Sequence, residues 1–216
     1  MLVLVINSGS SSLKYQLREL ADDGADGPRP VLAKGLVERI GVPGSDVPDH
    51  AAALERVEAE VFRVIGDRPI DAAGHRVVHG GERFTAPALV TNEVIRAIER
   101  LAPLAPLHNP AAAQGLRAMP DRSPDMPQVV GFDTSFHQTM PREAWQYALP
   151  ESVYREHGIR RYGVHGTSHD LVAGLAARPL GVAREGVSGV VLSPGKGASA
   201  TAIRDGASVD TSMGFT

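Results

Sequence analysis

Several short segments of this chain collect side chains that can hold or move charged groups. The first is Asn7-Ser8-Gly9-Ser10-Ser11-Ser12-Leu13-Lys14. Hydroxyls, backbone N–H groups around a glycine and one ammonium suit phosphate oxygens. The same residues also make an ordinary serine-rich hairpin loop, because short Gly/Ser motifs recur without function. In Gly74-His75-Arg76-Val77-Val78-His79-Gly80-Gly81-Glu82, Arg76 and Val78 share one face of a predicted strand. An Arg fork beside glycines can bind a carboxylate or phosphate, or make a structural salt bridge. Phe132-Asp133-Thr134-Ser135 sets a carboxylate at the C-terminal end of an apolar strand, where ligands bind in open α/β sheets. Asp133 could equally cap the next turn.

Tyr162-Gly163-Val164-His165-Gly166-Thr167-Ser168-His169 carries two His four apart. On a helix they would form a metal pair. Gly163 and Gly166 argue instead that His165 sits in a loop, within reach of a transferred phosphoryl group, with Thr167 or Ser168 capping the helix. His169 then reads as a first-turn residue without a catalytic role. Ser168-His169-Asp170 is no hydrolase triad, since chain neighbours do not face one another as a triad requires. Leu107-His108-Asn109-Pro110 offers a further polar group at a helix start, with Asn109 read as N-cap. His50, His137 and His157 have no supporting context. Gly195-Lys196-Gly197 resembles part of a Walker loop but lacks the Ser/Thr after Lys and the Gly that opens the loop.

The elements that must position these groups are mixed. Strands are predicted at 2–7, 12–18, 31–38, 74–79 and 128–133. Helices are predicted at 51–65, 92–101, 151–157 and 167–178, the last stopped before Pro179. Asp22 to Pro30 reads as a loop, and prolines between Pro103 and Pro127 break that stretch into short pieces. The order βββαβαβ gives an α/β fold with helices packed on a mixed sheet. Leu4 to Ser11 is echoed by Val190 to Gly197, each an apolar strand running into a small-residue turn and a second strand. This suggests two lobes of one design, 1–136 and the start of a second over 137–216, whose turns could grip a polyphosphate. A chance likeness of Gly-rich hairpins is the other reading.

The 216 residues are 43% hydrophobic and 22% charged, with a net charge of -3. No global basic field invites nucleic acid. No apolar run approaches the roughly 18 residues of a membrane span, and no charged leader precedes the first strand. The chain has no Cys, which removes disulfide and thiolate chemistry and agrees with a cytoplasmic location.

Jointly and in order, Asn7–Lys14, Gly74–Glu82, Pro106–Pro110, Phe132–His137, Tyr162–His169 and Gly197–Ser199 with Asp210–Thr216 resemble the acetokinase family of acetate kinases. That family lies within the sugar-kinase/heat-shock-ATPase/actin superfamily. The resemblance implies an actin-like ATPase lobe followed by the start of a second. It implies reversible in-line transfer of the γ-phosphoryl group of ATP to acetate, giving acetyl phosphate and ADP, with Mg2+ or Mn2+. Asn7 would help hold the metal. Ser10, Ser12 and Lys14, with Ser193, Gly195, Lys196 and Gly197, would line the phosphate site. Arg76 would bind acetate or phosphoryl oxygens, Asp133 would act on the metal or the substrate carboxyl, and His165 would stabilise the transition state. Val78, Leu107, His108 and Val164 would face the acid. The family is a homodimer without nucleic-acid or membrane partners.

Two departures stand out. The family's second turn reads His-Leu-Gly-Asn-Gly where this chain has Ser193-Pro194-Gly195-Lys196-Gly197, and its usual Phe before the loop His is Val164 here. The smaller Val164 would admit a longer acid, as in a propionate- or butyrate-type kinase. The family also continues past Met213-Gly214-Phe215-Thr216, where its later Arg, adenosine-binding glycines, metal-binding Glu and main dimer contact lie. The chain therefore reads as a first half, expected to turn over poorly and to self-associate through its uncovered apolar cleft. Other readings are an inactive remnant serving as a binding module, and a metal-dependent hydrolase using His75, His79, His165 and His169.

Overall fold

The computed structural model describes residues 1–20, 30–119, 125–195 and 197–215. Lys196, most of the predicted 22–30 loop and part of the proline-rich stretch lie outside the described residues. The chain divides into two compact units, Met1–Val77 with Ala88–Gly131, and Val78–Pro87 with Phe132–Thr216. Beside the expected boundary after residue 136, the division falls a few residues earlier, and 78–87 joins the second unit.

The first unit is built on a sheet of order β3-β2-β1-β4-β6-β5. Its strands are β1 (Leu2–Ser8), β2 (Ser12–Glu19), β3 (Val31–Glu38), β4 (Ala72–Val77), β5 (Ala88–Leu89) and β6 (Gln128–Phe132). β1 pairs antiparallel with β2 and parallel with β4. Leu2, Leu4 and Ile6 of β1, and Leu13, Tyr15 and Leu17 of β2, point inward because strand side chains alternate. All of these but Leu2 form one core with Ala53, Leu54, Val57 and Val61 of α1 (His50–Ile65). Helices α2 (Asn92–Arg100) and α3 (Asn109–Ala118) complete the unit.

Two local expectations are corrected here. α3 is capped by His108, not Asn109; Asn109 is fully buried, its Nδ2 donating to the Ile98 carbonyl at 3.3 Å. The strand expected at 74–79 runs from Ala72 to Val77, so Val78 and His79 lie beyond it. Beyond Val77 side chains replace the ladder. The Gly80 N–H donates to Thr134 Oγ1 at 2.9 Å, and the Gly81 N–H to His79 Nδ1 at 3.0 Å.

The second unit holds α4 (Arg142–Trp145), α5 (Glu151–His157), α6 (Gly166–Leu180) and a sheet of order β7-β8-β9. These strands are β7 (Gly189–Ser193), β8 (Ser199–Arg204) and β9 (Ala207–Thr211). The β8–β9 hairpin turns at Asp205-Gly206, whose φ values of 51° and 75° fit a two-residue turn of the primed type. A small core of Ala173, Ala177, Val187 and Ile203 joins α6 to the sheet. Contrary to the expected stop, α6 continues through Pro179 and ends at Gly181, in the left-handed conformation at φ 66°. Proline in the last turn forfeits one hydrogen bond near the helix end, where carbonyls already lack partners.

Candidate functional site

In the first unit, Asn7, Ser12, Lys14 and Arg76 come to one face of three neighbouring strands. Alternation places Asn7 opposite the buried Leu4 and Ile6, and Ser12 and Lys14 opposite Leu13 and Tyr15. Asn7 pairs directly with Lys14 across β1–β2. Val5 pairs with Gly74 on parallel β4, so Arg76, two residues on, shares the outer face with Asn7. The turn before β2 is partly self-satisfied: the Gly9 N–H donates to the Ser12 carbonyl at 2.7 Å. Ser10 is exposed, leaving its hydroxyl at the surface. His50, for which no sequence context suggested a role, holds this turn through Nε2–H to the Gly9 carbonyl at 2.9 Å. Leu107 is 75% exposed, next to the capping residue His108.

Asn7 offers one amide oxygen beside two cationic side chains, a poor setting for a bare cation. Magnesium is usually held by few protein oxygens together with substrate phosphates and water. The donor set therefore suits a divalent ion that arrives with a phosphate ligand. Among the described residues, no group of three or more His, Asp or Glu is gathered as a cage. In the four-histidine hydrolase reading His75 would have to leave its buried partner, since its Nε2 lies 3.0 Å from Gln128 Oε1.

In the second unit, Asp133, His165 and the β7–β8 turn converge on the start of α6. The Gly166 N–H donates to the Asp133 carbonyl at 2.9 Å, and Thr167 Oγ1 donates to Asp133 Oδ1 at 3.2 Å. Asp133 is 1% exposed. The N-cap of α6 is His165, at φ 60°, and not Thr167 or Ser168. A non-glycine residue in the left-handed region stores backbone strain, which concentrates at functional positions. Gly197 lies beside this ring, a Cβ there falling 3.7 Å from His165 Cε1. Ser193 closes the turn by pairing with Ser199, and Gly195 is exposed. Val164 is buried, its carbonyl accepting from His137 Nε2–H at 3.2 Å. Val78 begins the 78–87 segment, half-buried.

The acetokinase family profile matches residues 2–216. The chain belongs to the acetokinase family. It is 94% identical over 216 residues to the acetate kinase of Micrococcus luteus and 58% identical over 224 residues to that of an Arthrobacter species. All of this chain is covered in both cases, but only 56% of each relative. Among solved structures it resembles Porphyromonas gingivalis acetate kinase, with a TM-score of 0.92 and 40% identity. It also resembles a propionate kinase from Francisella tularensis, with a TM-score of 0.89 and 36% identity. Both matches cover 100% of this chain and 58% of the solved one. The actin-like α/β expectation thus holds. No helix among the described residues is long and apolar enough to cross a membrane.

Sequence reasoning missed much of the acetokinase chain's inner polar structure. His137, His169 and Ser199 are buried around His165, and the only hint of them was the spacing of His165 and His169. Arg160 is also buried. Its Nη1 donates to Glu82 Oε1 at 2.8 Å, and its guanidinium stacks 4.2 Å from the Trp145 ring centre.

Burial lowers His75, His79 and His137 from 6.5 to about 4, desolvation being the main cause in each. Unfolded histidine binds a proton near pH 6.5 that these rings refuse until about pH 4. The unfolded state therefore binds more protons in that window, so stability rises with pH there. Each ring contributes at most about 3 kcal/mol, by the conversion of pKa shift to free energy. We expect the melting temperature to fall steadily between pH 6.5 and 4 in circular-dichroism melts, with His75→Gln flattening the slope. A melting temperature constant across that window would contradict this.

Proposed function

We propose that the intact protein is a cytoplasmic acetate kinase, transferring the γ-phosphoryl group of ATP to acetate and back. The observation that carries this reading is the shared outer face of β2, β1 and β4. It gathers two cations, an amide and a hydroxyl in a chain of the acetokinase family. Such a face suits phosphate and carboxylate oxygens. Phosphoryl transfer asks mainly for positioning and charge neutralisation.

In this reading Lys14, Ser10 and Ser12 bind phosphate oxygens. Arg76 takes the acetate carboxylate or the phosphoryl group through its fork, as a point charge would not. Ser193, Gly195, Lys196 and Gly197 supply the second phosphate turn. Asp133 acts as the acidic group at the reacting carboxyl or its counter-ion, and His165 donates a hydrogen bond to the transferring group. Val78, Leu107, His108 and Val164 face the acid. Bound with ATP and held in part by Asn7, Mg2+ or Mn2+ would neutralise phosphate charge. The protein would work as a homodimer.

Val164 supports activity toward acids longer than acetate, because a smaller side chain leaves room for a methylene. One methylene changes selectivity by about 1–3 kcal/mol. The test is ADP release by the intact protein with acetate or propionate, with the acyl phosphate trapped as a hydroxamate. ATP-dependent acyl phosphate formation is expected with both acids. ADP release without any trapped acyl phosphate would overturn the assignment.

A further inference from the structure

Two imidazoles share a single hydroxyl inside the second unit. His165 Nδ1 lies 2.9 Å from Ser199 Oγ, and His169 Nε2 lies 2.8 Å from the same oxygen. Ser199 is 6% exposed and His169 fully buried. A serine hydroxyl has one proton, so it donates to one ring at most. The direction follows from the far side of His169, whose Nδ1 is buried with no hydrogen-bond partner. A buried orphan N–H is rarer than a buried orphan acceptor. The proton of His169 therefore belongs on Nε2, which donates to Ser199 Oγ. The serine hydroxyl then donates to His165 Nδ1. His165 is left with its remaining proton on Nε2.

We infer that His169 and Ser199 form a one-way relay that locks the tautomer of His165, making its Nε2–H a ready hydrogen-bond donor without protonation of the ring. His169 and Ser199 are thus positioning residues, one turn into α6 and at the first residue of β8. Desolvation lowers the pKa of His169, which agrees with a neutral ring. A second histidine obeys the same counting. The Val164 carbonyl only accepts, so His137 carries its proton on Nε2, and its Nδ1 accepts from Ser208 at 2.9 Å. His137 thereby fixes the peptide just before His165, while the relay fixes the ring itself. The ring is presented from a strained N-cap at φ 60°, so no helical side-chain rotamer preference aims it. Hydrogen bonds to the ring must do so.

The use of this donor rests on the acetate kinase reading; the tautomer does not. Two measurements separate them. In protein carrying 15N-labelled histidine, His165 is expected to show a protonated Nε2 and an unprotonated Nδ1. Ser199→Ala should replace that pattern with averaged ring nitrogens, and Ser199→Thr, which keeps the hydroxyl, should restore it. In turnover, Ser199→Ala should lower kcat about 10-fold with the KM for acetate unchanged, comparable to loss of an orienting partner behind a ligand. A proton on Nδ1 of His165 in the unaltered protein would overturn the relay by itself, even if Ser199→Ala failed to fold. So would a pattern that Ser199→Ala leaves unchanged. Absence of acyl phosphate formation by the unaltered protein would count against the acetate kinase reading and leave the tautomer result standing.

Discussion

Gly166→Ala is expected to lower the melting temperature of this protein by about 10 °C and to cut activity about 100-fold. Gly166 opens α6, and its N–H binds the Asp133 carbonyl. A Cβ at this position would sit well inside van der Waals contact with that carbonyl oxygen, and 3.1 Å from both the Asp133 carbonyl carbon and Phe136 Cβ. The obstacle is backbone that cannot swing aside. Asp133 directly follows β6, and the next residue, Thr134, is fully buried under the Gly80 N–H. The helix start must therefore withdraw. Overpacking of this kind costs about 3 kcal/mol or more when the neighbour is rigid. In a chain of this size each kcal/mol moves the midpoint by about 2–4 °C. Withdrawal also carries His165 away, and a misplacement near 1 Å costs about 100-fold in rate. Gly131→Ala is the control, because a Cβ there meets nothing within 4 Å. Its melting temperature and rate should match the unaltered protein. A Gly166→Ala variant melting within about 2 °C of the parent would show that α6 can shift freely.

Asp133→Asn should abolish most turnover while leaving the fold intact. Asp133 is 1% exposed, and an amide of the same shape fills its place without the carboxylate. Thr167 Oγ1 can still donate to the amide oxygen, as it does to Oδ1 now. The melting temperature should hold or rise, while kcat falls about 1000-fold, the range for removing one preorganised electrostatic group. A purely structural role would give the reverse pattern, with loss of stability and near-normal kcat. Circular-dichroism melts and the hydroxamate assay together decide between them.

Where the residues that make an element lie close in sequence, the reading from sequence came close to the structure. The outward face bearing Asn7, Ser12 and Lys14 follows from strict alternation in β1 and β2, since burying Leu4, Ile6, Leu13 and Leu17 turns their neighbours out. The start of α1 was legible for the same reason, with Asp49 Oδ1 accepting from the Ala52 N–H at 2.8 Å. The placement of β4 and the cap of α6 slipped. In each case a group from elsewhere in the chain intervened: the Thr134 hydroxyl takes the Gly80 N–H, and at α6 the Asp133 backbone carbonyl takes the Gly166 N–H while its carboxylate accepts from Thr167 Oγ1. The buried histidines were unreadable because a ring's role depends on its partners. Ser199 lies 34 residues from His165, and Ser208 lies 71 from His137.

The sequence by itself determined the α/β class, the serine-rich first turn and, through its ordered motifs, the family to which the chain belongs. Periodicity and short-range turn chemistry act between neighbours and survive without a fold. The tertiary structure alone decided that Asp133, the strained His165 and Gly197 meet at the head of α6. It also decided that Ser199 stands between two imidazoles. Those facts depend on burial, which removes water as a competing partner and leaves each donor a single acceptor. They also depend on long-range packing that brings the hydroxyl within 2.9 Å of His165.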